Sequence, residues 1–135
     1  MSHAYWQDGY KINVHELDVQ HEELARLVKR LYDAVTAKED METLGGILSD
    51  LLGFTRHHFS TEEKLMREYD YPGYKKHKSE HDEILEKLKC FRQEAVRRSH
   101  SAFRFDFDAS QDWFIKHIDR CDRELAVYLN EKGVY

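Results

Sequence analysis

From Leu17 onward, apolar residues recur along the chain in steps of three and four. Leu17, His21, Leu24, Val28, Leu31 and Val35 form one stripe at this interval, the signature of a helix with a single buried face. A second stripe runs Leu44, Leu48, Leu51, Thr55, His58, Glu62, Leu65 and Tyr69. A third carries His77, His81, Ile84, Leu88, Phe91 and Ala95, and a fourth Phe107, Ser110, Phe114, His117, Cys121, Leu125 and Tyr128. The spacing predicts helices over about 16–37, 41–70, 73–97 and 104–131, preceded by an irregular arm over about 1–15.

Turn chemistry falls between the stripes. Ala37-Lys38-Glu39-Asp40 separates the first two, Pro72-Gly73 the second and third, and Arg97-Arg98-Ser99-His100-Ser101 the last two. Proline also suits the first turn of a following helix, where its missing N–H is not needed. Gly45 and Gly46 weaken the start of the second helix by up to about 1 kcal/mol each relative to alanine. Helices of roughly 20 residues, each about 30 Å long, joined by short turns, predict an all-α fold. The expected form is an antiparallel up-down-up-down four-helix bundle. No repeat, linker or low-complexity tract divides residues 1–135, so one domain is expected.

Composition then removes several function classes. A formal net charge of −5 with a pI near 6.0 leaves no basic footprint for nucleic acid. The N-terminal residues have no apolar export signal, and no apolar run is long enough to span a bilayer. Cys90 and Cys121 are too few for a disulfide framework and suit a reducing cytoplasm. Histidine is the anomaly, with 9 in 135 residues.

Several of these histidines stand where a bundle normally places leucine. His58 and Glu62 are four apart, as are His77 and His81, so each pair shares a helix face with Cβ atoms about 5–6 Å apart. His21 lies on the first stripe and His117 on the fourth. Asp122 follows His117 by five residues. That is about 140° around an α-helix, so the two are expected to reach different parts of a wide centre rather than share one line. Taken singly, each element has a plain reading. His21 or His117 alone is more often a hydrogen-bonded core histidine; His77/His81 alone is as readily a solvated pair as a ligand pair, and His58/Glu62 alone can be an ordinary surface pair. Together they fall at one depth, and burying so many polar groups without a cation costs several kcal/mol each, on the order expected for unpaired charges. Imidazole and carboxylate ligands without a thiolate pair suit iron, zinc or manganese. They outnumber the ligands one ion can use, which points to two ions bridged by carboxylates. Ferritin-like di-iron proteins use mostly glutamate. A histidine-rich set is expected instead to favour holding oxygen over cleaving it.

The ordered set resembles the hemerythrin family over nearly the whole chain. The matching segments are Leu17-Asp18-Val19-Gln20-His21, His58-Phe59-Ser60-Thr61-Glu62, His77-x-x-x-His81 and His117-Ile118-Asp119-Arg120-Cys121-Asp122, with Trp6 in the arm. The resemblance implies a di-iron centre in which His77, His81 and His117 bind one iron and His21 and His58 the other. Glu62 and Asp122 would bridge the two ions together with a solvent-derived oxo or hydroxo group. The first iron would then be saturated and the second open to O2. It further implies that Trp113, Phe114 and Ile118 line the oxygen pocket, although core packing explains the same residues. Cys121 reads as a small buried hydrophobe. His57 lies about 100° from His58 around the helix and is expected to face outward, as are His3, His15 and His100.

The implied function is reversible O2 binding, for carriage, storage or supply, by a cytoplasmic protein that is not an enzyme. A monomer is favoured, and an oxygen-consuming protein is one candidate recipient, with none singled out by the residues. The alternatives are a di-iron redox enzyme acting on peroxide or nitric oxide, or an oxygen or iron sensor.

Overall fold

The computed structural model describes residues 11–94 and 116–135, and all statements below concern these. Trp113 and Phe114 of the expected oxygen pocket lie outside the described residues, as do Trp6, His3 and His100. Three long helices, α1 (His15–Thr36), α2 (Met41–Glu68) and α3 (Tyr74–Glu94), follow one another. Lys116 and His117 then lead into a π-helical segment (Ile118–Asp122) that continues as α4 (Arg123–Glu131). The architecture is an all-α four-helix bundle, with no strand among the described residues.

Local signals set the helix ends. The Asp18 carboxylate, in the first turn of α1, accepts the N–H groups of Ile12 and Asn13 at 2.7 and 3.2 Å and ties the entering chain to the helix. Asp40 caps α2, accepting the Thr43 N–H at 2.7 Å, so that helix starts firmly ahead of Gly45 and Gly46. The glycines do not delay it. Three helices close on the same C-terminal motif, in which a left-handed residue lets the next N–H reach back five residues. Glu39 N–H bonds Ala34 O, Tyr71 N–H bonds Met66 O, and Val134 N–H bonds Leu129 O, at 3.0, 2.8 and 2.9 Å. The left-handed residues are Lys38, Asp70 and Gly133, so only one of the three is the glycine that favours this conformation.

The second turn departs slightly from expectation. α2 stops at Glu68, and Pro72 precedes α3 instead of occupying its first turn. The Tyr71 ring packs over Gly73, where a Cβ would sit 2.8 Å from it and push the ring aside. On α2 the lower stripe runs through Phe59, Glu62 and Met66, with Leu65 only half-buried. The apolar core joins Leu17, Leu24, Val28 and Leu31 of α1 to Leu44, Leu48 and Leu51 of α2, Ile84 and Leu88 of α3, and Leu125 and Leu129 of α4. Each buried leucine contributes about 1.5–3 kcal/mol, which fixes helix rotation and thereby aims the polar residues sharing these faces inward. The last helix is anchored by polar contacts as well. Tyr128 Oη donates to the Tyr69 carbonyl at 2.7 Å, and Asn130 Nδ2 to the Asn13 carbonyl at 3.1 Å.

Candidate metal centre

His21, His58, Glu62, His77, His81, His117 and Asp122 all lie in the bundle interior, none more than 3% exposed. They form two groups of converging ligand atoms. One is Glu62, His77, His81, His117 and Asp122, the other His21, His58, Glu62 and Asp122, with ligand atoms in each group within 4.8 Å of one another. The two carboxylates belong to both.

Each carboxylate divides its oxygens between the groups. Glu62 Oε1 lies 2.9 Å from His81 Nε2 and 3.3 Å from His77 Nε2, whereas its Oε2 lies 3.1 Å from His58 Nε2 and 3.7 Å from His21 Nε2. Asp122 repeats the pattern. Its Oδ1 is 2.8 Å from His77 Nε2 and 3.0 Å from His117 Nε2, and its Oδ2 is 3.1 Å from His21 Nε2. Two carboxylates, each turning one oxygen toward either side, have the geometry of bridges between two cations.

The five-residue step from His117 to Asp122 does not separate them as expected for an α-helix. The backbone between them is π-helical, and i→i+5 bonding brings residues five apart onto one face. A straight α-helix would turn Asp122 about 140° away.

The donors also show that hydrogen bonding alone does not satisfy this core. His58 Nε2, His81 Nε2, His117 Nε2 and both Glu62 oxygens are buried with no hydrogen-bond partner. Their separations from one another are short, but the directions are wrong for N–H···O bonds. Lone pairs aimed at a common point are what a cation needs, and leaving such groups bare would cost on the order of 1–3 kcal/mol each or more. The donor set fits a hard or borderline metal ion.

Charge follows the same logic. Burial alone would depress the His21 imidazole, but its bond to Asp122 and the nearby Glu62 carboxylate prevail and raise it to about 10. His77, buried against the same two carboxylates, is raised to about 9, and His117 is raised well above its ordinary value against the pull of burial. At His58 burial wins over Glu62, and the pKa falls. Burial pushes both carboxyl groups up, yet the surrounding imidazoles hold them well below the usual carboxylate range. Without a metal, protons gather on the imidazoles to balance the two buried anions; a cation takes over that charge and displaces them.

Residues outside the sequence-derived set hold the imidazoles from behind. His58 Nδ1 meets Gln20 Oε1 at 2.7 Å, His81 Nδ1 meets Glu63 Oε2 at 2.8 Å, and His117 Nδ1 meets Glu80 Oε1 at 2.7 Å. Each bond directs the opposite Nε2 inward. Glu63 and Glu80 were indistinguishable in sequence from surface charge, and Gln20 stood out only as part of a motif. Cys121 is buried as expected, but it is more than a filler, since its thiol donates to Glu80 Oε1 at 3.3 Å. Phe59 stacks on His81 with ring centroids 3.7 Å apart, and Ile118 is buried directly after His117. Thr55 bonds its own helix at Leu51 O, and His15 and His57 face solvent.

Known proteins resemble this chain in sequence and in fold. The family model of the hemerythrin HHE cation binding domain matches residues 13–129. A bacteriohemerythrin of Aquifex aeolicus is 32% identical over 117 residues, spanning 85% of this chain and 88% of its own. A myohemerythrin of Sipunculus nudus is 28% identical over 117 residues, spanning 87% and 86%. A crystal structure of a hemerythrin mutant superposes with a TM-score of 0.74 at 25% identity, covering 87% of this chain and 89% of that one. With one family model spanning nearly all of the described helices, the chain belongs to the hemerythrin family.

Proposed function

We propose that this protein binds O2 reversibly at a pair of iron ions held by His21, His58, Glu62, His77, His81, His117 and Asp122. The observation that carries the reading is the division of the Glu62 and Asp122 oxygens between a three-histidine group and a two-histidine group. Family membership supports iron over other cations and O2 over other ligands. Ferrous iron, once bound, supplies the electrons that let oxygen be held and released.

The chain's own residues account for an asymmetric site. Five side chains converge on one position and four on the other, so a bridging solvent would saturate the first and leave the second a vacancy. The imidazoles supply neutral donors through Nε2, and the carboxylates bring two negative charges. Phe59 and Ile118 give the ligand layer apolar walls that exclude water, and Ile118, beside His117, is assigned to the oxygen pocket. Trp113 and Phe114 are assigned there on the family resemblance alone. Binding rather than turnover is the main activity, and the unpaired Cys90, exposed on α3, suits a reducing cytoplasm. No helix among the described residues is long and apolar enough to cross a membrane.

The test is metal analysis with absorption spectra recorded through reduction, oxygenation and degassing. Two irons per chain and a visible band that comes with O2 and leaves under vacuum, with the O2 recovered, are expected. Steady consumption of O2 or peroxide in the presence of a reductant would instead identify an enzyme.

A further inference from the structure

Three imidazoles of the site meet described side chains through Nδ1, and these three are not backed alike. Behind His81 and His117, both in the three-histidine group, stand the carboxylates Glu63 and Glu80. Behind His58, in the two-histidine group, stands the neutral amide of Gln20. The amide orientation is fixed: Gln20 Nε2 donates to Thr61 Oγ1 at 3.2 Å, and Thr61 Oγ1 donates onward to the His57 carbonyl at 3.2 Å. The Gln20 oxygen therefore faces His58, whose Nδ1 must carry the hydrogen. Glu80 is fixed as well. The Cys121 thiol and the His117 imidazole share its Oε1, and Arg120 Nη2 lies 3.5 Å from Oε2. The π-helical segment brings Cys121 and Arg120 to this carboxylate together with His117.

An anionic acceptor draws the Nδ1 hydrogen more strongly than a neutral amide does, and makes the opposite Nε2 a better donor. We infer that Glu63 and Glu80 are positioning residues that set the two iron positions at unequal donor strength, biasing ferric charge toward the three-histidine side while Gln20 keeps the two-histidine side less electron-rich. The inference rests on the di-iron reading above. Its consequence for oxygen binding is a division of labour. With iron bound, Glu63 and Glu80 would make the three-histidine position the better electron source, and Gln20 would leave the two-histidine position with the weaker donors.

The test uses the full-length, iron-loaded chain and reads midpoint potential and iron affinity. Glu63→Gln and Glu80→Gln each keep an acceptor for the imidazole and remove its charge. Each is expected to lower the preference for ferric over ferrous iron about tenfold, a rise of about 59 mV for a one-electron couple. Gln20→Glu adds the charge on the other side and is expected to lower the potential. Glu80→Ala, which removes the acceptor altogether, is expected to weaken iron binding by about 10–100-fold. If Glu63 and Glu80 served only to orient rings, the two glutamine variants would keep the wild-type potential. That result, or a shift of Gln20→Glu in the same direction as the other two, overturns the inference. Should Glu80→Gln fail to fold, Glu63→Gln and Gln20→Glu carry the same comparison on two other helices. A wild-type chain without paired iron would defeat the di-iron reading and this inference with it. A wild-type chain that binds O2 reversibly while the variant potentials stay put would defeat this inference alone.

Discussion

Replacing Glu62 by glutamine leaves the size and shape of the side chain nearly intact, but removes one negative charge and turns one oxygen into an NH2 group that cannot ligate a metal. In the wild-type structure Oε1 serves the three-histidine group and Oε2 the two-histidine group. The amide can serve only one. With its oxygen toward His81, the two-histidine group drops from four converging side chains to three; with its oxygen toward His58, the other drops from five to four. The poorer group loses more, so the second iron is the one expected to leave. Losing a residue that merely supports a ligand weakens metal binding about 10–100-fold, and losing a ligand costs at least as much. The assay is thermal unfolding with and without ferrous iron, beside metal analysis. An ion present at 100 times its dissociation constant stabilises the fold by about 2.7 kcal/mol; after a 100-fold loss of affinity the same concentration contributes only about 0.4 kcal/mol. Glu62→Gln should therefore hold about one iron per chain and lose most of the second ion's stabilisation. Two irons per chain with wild-type stabilisation would refute the bridging role of Glu62.

The remaining predictions concern the oxygen pocket, the metal-free charge balance and the helix ends. Ile118→Asn places a polar group beside His117 and should speed oxidation of the oxygenated form several-fold, followed by loss of its visible band; an unchanged lifetime would remove Ile118 from the pocket. In the metal-free chain, His21 and His77 are raised from 6.5 to about 10 and about 9. Their contribution to stability is fully present below pH 6.5 and is lost as pH rises through 9 to 10, because the unfolded chain releases these protons first. Denaturant midpoints of the metal-free protein should fall across that window, while those of the iron-loaded protein, whose Nε2 lone pairs are engaged, stay level; parallel curves would contradict this. Lys38→Gly should stabilise the chain by about 1 kcal/mol, since Lys38 sits at φ 56 in a conformation that disfavours a Cβ. Asp70→Gly should gain less, because aspartate tolerates that region better. An unchanged or lower urea midpoint for Lys38→Gly would show that the turn is not strained.

The stripes of leucine and histidine made the helices and the inward ligands legible, because burial repeats at the helical period whatever the side chain's chemistry. Helix ends were less legible. Two of the three left-handed caps carry lysine and aspartate, which leave no glycine to read. The residues behind the imidazoles were invisible for a different reason. Glu63 and Glu80 are 18 and 37 residues from the histidines they hold, and in a chain with 26 acidic residues nothing local separates them from solvated charge.

The His117–Asp122 spacing hides its role for a reason that lies in the backbone. Five residues on a regular helix point two side chains apart, so the spacing read as two separate reaches into a wide centre. The same fact admits an inverse reading. If both residues must serve one compact centre, the helix between them has to depart from α geometry, and one extra residue per turn is the smallest departure that suffices. The structure takes that course, with Ile118–Asp122 in π-helical form and Asp122 Oδ1 3.0 Å from His117 Nε2. Such a segment exchanges i→i+4 for the rarer i→i+5 hydrogen bonds, and here the exchange falls where ligand geometry has most to gain. The same segment also delivers Cys121 to Glu80, so one irregular turn positions His117, Asp122 and the thiol that bonds the carboxylate behind His117. Inserting or deleting a residue here would rotate α4 against the core and misplace all of them at once, which ties the irregular backbone to the site and not to chance in the helix sequence.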